Sequence, residues 1–202
     1  MDDQKKSSTD YSQLIEEHFE EDELKTEETI EDETPEVDEP FVIKVFSRRD
    51  ERQLALFLLY ALDRHDYAVP LDEVTAAFEE DFDIKISHQS FPFLVVQGVL
   101  EKQEDFSRII TPFLKNWQLE RLGCCTRLIL NIALWELFQP NPICSIIINE
   151  AIELAKIFAE KDAYKFVNGV LDEIIKKGEI DGHPLPPMQQ QEVKDDEPKG
   201  DT

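Results

Sequence analysis

Glycine is scarce, six residues in 202, and none sits in a Gly-x-x-x-x-Gly-Lys loop, the arrangement whose backbone amides cradle phosphates. Cysteine is scarcer. Cys124, Cys125 and Cys144 are odd in number and lack ligand spacing, which argues against a secreted disulfide framework and against a zinc site. Buried free thiols in a reducing cytoplasm are expected instead. The four histidines, His18, His65, His88 and His183, are scattered without a His-x-x-x-His pair, and Ser145 has no nucleophile-elbow context. Neither an enzyme nor a resident cofactor or metal is expected. No apolar run is long enough to span a bilayer and no basic-flanked apolar stretch opens the chain, so no membrane segment and no signal peptide are expected. Apart from a short run at Phe41–Phe46, no segment alternates with period two, so sheet is not expected either.

Acidic charge is abundant, and it is unevenly placed. The formal net charge is −24. Residues 1–40 hold 17 acidic and 3 basic side chains, and Gly178–Thr202 hold 7 and 2. Segments so charged and so poor in apolar groups cannot bury enough surface to offset ordering entropy, so disordered acidic tails are expected at 1–40 and 179–202. Within the arm, Leu14–Leu24 is the one stretch with transient helical spacing. The part between the tails, 41–178, is long enough for one cored domain.

That middle reads as about seven helices with short links. Ser47 and Asp50 have capping-box spacing before a stripe of Leu54, Phe57, Leu58, Ala61 and Leu62. A second helix spans about Leu71–Glu80, and a third about His88–Lys102, with Phe91, Leu94, Val95 and Val99 inward. Gly98 lies inside the third, where close helix contact is the expected reason for a residue costing about 1 kcal/mol against alanine. A fourth runs from about Glu104 to Trp117 and should kink or restart at Pro112. A fifth covers about Cys124–Phe138. The sixth starts at Pro142 in its first turn, with Ile147, Ala151, Leu154, Ala155 and Phe158 as its stripe. The seventh takes Asp162 as its cap, Phe166, Val167, Val170, Leu171 and Ile174 as its stripe, and Gly178 as its stop.

Arg48, Arg49 and Arg52 fall at the start of the first helix, where cations oppose the helix dipole at a small cost. A cost borne in folding points weakly to another use, and guanidinium groups suit phosphate. An exposed arginine cluster on a nearly neutral domain is a modest nucleic-acid signal. The overall negative charge opposes it at long range, although local clusters prevail within a Debye length of roughly 8 Å.

Three ordered blocks sharpen this reading. They are RRDERQLALFLLY (Arg48–Tyr60), ERLGCCTRLILNIALWEL (Glu120–Leu137), and INEAIELAK (Ile148–Lys156) followed by KFVNGVLD (Lys165–Asp172). Over roughly Ser47–Lys177 the chain resembles the NusB family. The resemblance implies an all-α fold of two packed three-helix bundles plus one helix. It implies binding of boxA RNA from the leader and spacer regions of ribosomal RNA operons, jointly with the ribosomal protein NusE. It also implies action with RNA polymerase and other Nus factors to suppress termination in the cytoplasm, as a monomer or weak homodimer. By position, Arg48, Arg49, Arg52, Lys156, Lys165 and Asn168 match RNA-side residues, while Tyr60, Thr126, Arg127 and Glu150 match partner-side ones. Asn149 also falls in the signature.

Two positions depart from the family pattern. Asp50 stands where members often carry a neutral or basic residue, and Thr126 stands where an acid is usual. A NusB-fold scaffold without specific RNA binding is therefore the alternative reading. On this reading of the turn, replacing all three arginines with glutamate should abolish RNA capture and spare the fold. The acidic arm, joined beside Arg48–Arg52, is expected to act at high effective concentration and to compete with RNA there.

Overall fold

The first helix begins where the sequence places its cap. In the computed structural model, which describes residues 45, 47–114, 121–177, 179–180 and 183–184, the Asp50 amide donates to Ser47 Oγ at 3.2 Å and the Ser47 amide donates to Asp50 Oδ2 at 2.8 Å. Both halves of the capping box are thus made. From that cap the described chain runs as α1 (Arg48–Arg64), α2 (Leu71–Phe82), α3 (Phe91–Glu101), α4 (Gln103–Ile110), α5 (Cys124–Leu137), α6 (Cys144–Phe158) and α7 (Ala163–Lys177). A 3-10 turn, Thr111–Phe113, follows α4. A two-residue antiparallel pair, Glu179–Ile180 with His183–Pro184, follows α7. The architecture is all-α.

α1 is buried well beyond its expected stripe. Every residue from Leu54 to Leu62 is inside, because α1 packs against α2, α3 and α5 at once. α5 is enclosed in the same way from Leu128 to Leu134. These two helices form the common axis of two three-helix groups, α1–α3 and α5–α7. α6 and α7 pack on each other along most of their length. α4 is the seventh helix, laid with its 3-10 turn against α5 and α7. A helix buried on all sides is a rigid mount, so the exposed first turn of α1 is held in a fixed direction.

Two local expectations hold, each for a physical reason. α4 stops at Ile110, since Pro112 lacks an N–H and crowds the preceding turn, and the chain continues only as a 3-10 turn. Gly98 is covered by the indole of Trp135 from α5, and a Cβ there would fall within the ring. Gly98→Leu should therefore overpack the α3–α5 contact and cost about 2–3 kcal/mol in urea denaturation, most of it recovered when Trp135→Leu is added. If the single and double variants melt alike, that contact is not what retains the glycine.

Several expectations are corrected. α3 begins at Phe91 rather than His88, because Pro92 fits the first turn of a helix. Leu94 points outward and is exposed. α6 begins at Cys144 with Ile143 at the cap, which leaves Pro142 just outside it. Asp162 precedes α7, but its carboxylate takes the Lys165 ammonium at 2.6 Å and its backbone is left-handed (φ 67°). The arm 1–40, most of the 41–46 run, the 115–120 stretch with Trp117, Gly178 and most of the tail fall outside the described residues.

Candidate nucleic-acid interface

The arginine turn is not three equivalent cations. Arg48 and Arg49 are open, with side chains 56% and 47% exposed, whereas Arg52 is 8% exposed. Arg52 points inward because Glu136 of α5 waits there. Its Nε donates to Glu136 Oε1 at 2.8 Å and its Nη2 to Oε2 at 2.7 Å. Its Nη1 also approaches Glu150 Oε2 at 3.6 Å and donates to the Arg48 carbonyl at 3.3 Å. The expectation of an exposed Arg52 is corrected by this buried, two-pronged ion pair.

Arg49 reaches across to α6 and grips Glu150 with two hydrogen bonds, 2.7 and 3.0 Å. Those bonds hold the Glu150 carboxyl below its ordinary range. Arg48 pairs with Glu51 at 2.9 Å and lies over the Phe91 ring, 4.1 Å from its centroid. Phe91 in turn meets Trp135 edge-on at 5.8 Å. Beside these groups opens a cleft of about 500 Å³ lined by Arg48, Arg52, Phe91, Trp135 and the α5–α6 corner. Guanidinium planes next to aromatic faces and a partly apolar wall suit a ribose-phosphate strand with unstacked bases.

A second basic patch sits at the α6–α7 corner. The Lys156 and Lys165 ammonium groups lie 5.8 and 5.6 Å from the Tyr164 ring centroid, one on each helix. Asn168, half-buried, is one turn beyond Tyr164 on α7. Both lysines have local partners, Glu153 and Asp162, at exposed positions where such pairs are worth little and are readily exchanged. Lys156 follows Glu150 by six residues on α6, about 9 Å along the axis. Six residues also turn Lys156 about 120° around α6 from Glu150, so Lys156 belongs to the α6–α7 corner and Glu150 to the edge facing Arg49.

The family model for NusB matches residues 49–176. The chain belongs to the NusB family. It is 36% identical over 130 residues to the transcription antitermination protein NusB of Macrococcus caseolyticus, covering 64% of this chain and 97% of that one. Against the NusB of Helicobacter hepaticus the identity is 34% over 131 residues, 64% and 82% of the two chains. The crystal structure of T. maritima NusB superposes with a TM-score of 0.58 at 27% identity, covering 65% of this chain and 92% of that one. A solved complex of antitermination factors NusB and NusE with dsRNA gives 0.55 at 26%, covering 64% and 96%. NusB is a transcription antitermination family and not an enzyme family. No group of residues able to hold a metal occurs among the described residues, and no described helix is long and apolar enough to cross a membrane.

Of the partner-side positions in this NusB domain, Tyr60 and Thr126 are buried and Arg127 is half-buried. Tyr60 is buried, which pushes its hydroxyl up to about 12. Thr126 is buried and donates from Oγ1 to Glu160 Oε2 at 2.6 Å. That carboxylate lies against Gly123, the cap residue of α5, where the helix dipole favours negative charge. Glu160, a residue that the sequence pattern does not single out, thus places an acid at the start of α5 beside Thr126. Arg127 donates to Asp63 at 2.6 Å, and the same carboxylate accepts from Tyr67 at 2.7 Å and Cys124 at 3.0 Å. Tyr60 and Thr126 thus lie inside the domain and Arg127 is half-buried against Asp63, while Glu150 is the arginine turn's counter-charge.

Burial alone would raise the Asp63 carboxyl, but the hydrogen bonds from Arg127, Cys124 and Tyr67 outweigh it and leave it below its ordinary 3.8. A depressed carboxyl stabilises the fold above its unfolded value, and the gain is lost as pH falls below 3.8. Asp63→Asn should cost about 2–3 kcal/mol at neutral pH and flatten the acid limb of the stability profile. An unaltered acid limb in that variant would show the network contributes nothing.

Proposed function

We propose that this NusB-family protein is an antitermination factor that binds boxA RNA of ribosomal RNA leader and spacer transcripts together with NusE, and that it acts with RNA polymerase and other Nus factors against premature termination in the cytoplasm. The observation that carries the reading is the pair Arg48 and Arg49, open to solvent on a helix fixed on all sides. Arg48 and Arg49 contact phosphate. Arg52 contacts none and instead positions the turn through Glu136. Lys156, Lys165 and Asn168 extend the track along the α6–α7 corner. The relatives named as antitermination proteins and the solved NusB–NusE–dsRNA complex support the choice of RNA and NusE as ligands.

A second reading has its own observation. Asp50, Glu51, Glu136 and Glu150 stand against the three arginines, so the turn carries no excess positive charge and the protein acts as a NusB-fold scaffold between proteins. Gel-shift titration with boxA RNA and a scrambled RNA, each with and without NusE, separates the two. Preferential boxA binding that tightens with NusE is expected. Equal weak binding to both RNAs would leave only the scaffold.

A further inference from the structure

The turn 159–162 joins α6 to α7 and carries Glu160. Glu160 is an exposed residue, yet its carboxylate is turned inward. Oε2 accepts the Thr126 hydroxyl at 2.6 Å, and the group lies over Gly123 at the start of α5. The Ala163 amide, at the start of α7, donates to the Glu160 carbonyl at 2.9 Å. One residue therefore ties the start of α5 to the start of α7. Beside that tie opens a cleft of about 520 Å³, lined by Arg121, Leu122, Thr126, Lys161, Ala163 and Phe166, so the corner is not packed flush against α5 there.

Gly123 makes the room. Its backbone (φ −55°, ψ 146°) suits any residue, so conformation does not call for glycine. A Cβ there would instead fall on the Glu160 carboxylate. The turn also holds Asp162 at φ 67°, a left-handed backbone that persists where neighbouring structure fixes it. What the turn carries at its two ends is the basic corner. Lys156 lies in the last turn of α6 and Lys165 in the first turn of α7, their ammonium groups flanking the Tyr164 ring. A binding surface split over two helices keeps its spacing only if the link between them is fixed.

We infer that Glu160 is a positioning residue: by clasping the start of α5 it fixes the α6–α7 turn, and with it the spacing of Lys156 and Lys165. This role rests on the proposed reading of the corner as part of the RNA track. Glu160 itself touches no strand.

Charge and position predict opposite results. Removing an acid weakens the negative field and on that ground alone strengthens RNA capture. Removing a positioning residue weakens it. In the full chain at fixed salt, Glu160→Ala should weaken boxA capture about fivefold, roughly the worth of one hydrogen-bonded contact. Glu160→Gln removes the same charge, but its amide oxygen still accepts from Thr126, and it should stay within about twofold of the parent. Gly123→Ala keeps every charge and evicts the carboxylate. It should match Glu160→Ala, and the double variant should be no weaker than either. Amide exchange across residues 159–165 should quicken in both alanine variants and keep the parent rate in Glu160→Gln, with far-ultraviolet dichroism unchanged. Exchange that ignores the alanine substitutions would show that the clasp holds nothing. Faster exchange with undiminished capture, or stronger capture by Glu160→Ala, would overturn the positioning role alone. A parent that takes boxA no better than scrambled RNA is a separate failure, since it overturns the RNA reading and the role with it.

Discussion

Glu136→Ala is expected to lower the unfolding free energy by about 3 kcal/mol, equivalent to a fall in Tm on the order of 10 °C. The loss comes from what is left behind. Arg52 is 8% exposed and its guanidinium spends two short hydrogen bonds on Glu136. Without that carboxylate a buried cation keeps only the longer approach to Glu150, at 3.6 Å, as an ionic partner, beside its bond to the Arg48 carbonyl. That residual partner places the effect at the lower end of the range for breaking a buried pair, about 3–5 kcal/mol. Replacing both partners, Arg52→Met with Glu136→Leu, should be close to neutral, because no charge is then stranded. Urea denaturation of the single and paired variants decides the matter. A single variant within 1 kcal/mol of the parent, on the order of an exposed pair, would mean that solvent reaches Arg52. The same geometry rules out the triple glutamate replacement as a test of RNA binding. Arg52→Glu would set a carboxylate against Glu136 and Glu150, so the fold would fail along with the function.

The parts of this fold that could be read from the chain are those decided by neighbours a few residues apart. Ser47 and Asp50 cap α1 because they are three positions apart. Pro112 ends α4 because its ring acts on the turn before it. Gly98 shows that something must come close, though not that Trp135 is what comes. The burial of Arg52 is not legible because its partner is 84 residues away, and an arginine beside two exposed ones carries no mark of burial. Glu136 did carry one. It is the lone charge in Ile-Ala-Leu-Trp-Glu-Leu-Phe, and an acid enclosed by apolar residues on a buried helix needs a cation brought to it. The intramolecular partners of Thr126 and Arg127 are illegible for a related reason. A polar residue in a helix is equally consistent with facing a partner or facing Glu160 or Asp63 across the core, and periodicity does not separate the two.

Removing the two open cations while keeping the buried one isolates the interface from the fold. Arg48→Ala with Arg49→Ala should weaken boxA capture about 100-fold, taking roughly 1.5 kcal/mol for each charge-assisted contact. It should also flatten the salt dependence of log K by about 1.4, at roughly 0.7 per phosphate released from a single strand. The helix itself should stand, since its cap is made by Ser47 and Asp50 and its anchor by Arg52 and Glu136. Glu150, freed from Arg49, still faces Arg52. Arg64→Glu supplies the matched control. It changes the net charge by the same two units, and it lies in the last turn of α1, about 24 Å along the axis from Arg48. If capture depends on the long-range field, both variants lose it alike. If capture depends on Arg48 and Arg49 touching the strand, the control stays within about threefold of the parent, the small effect expected of a screened charge well beyond a Debye length. Undiminished capture in the double alanine variant would remove the arginine turn from RNA binding and leave the α6–α7 corner, or a protein partner alone, to carry the function.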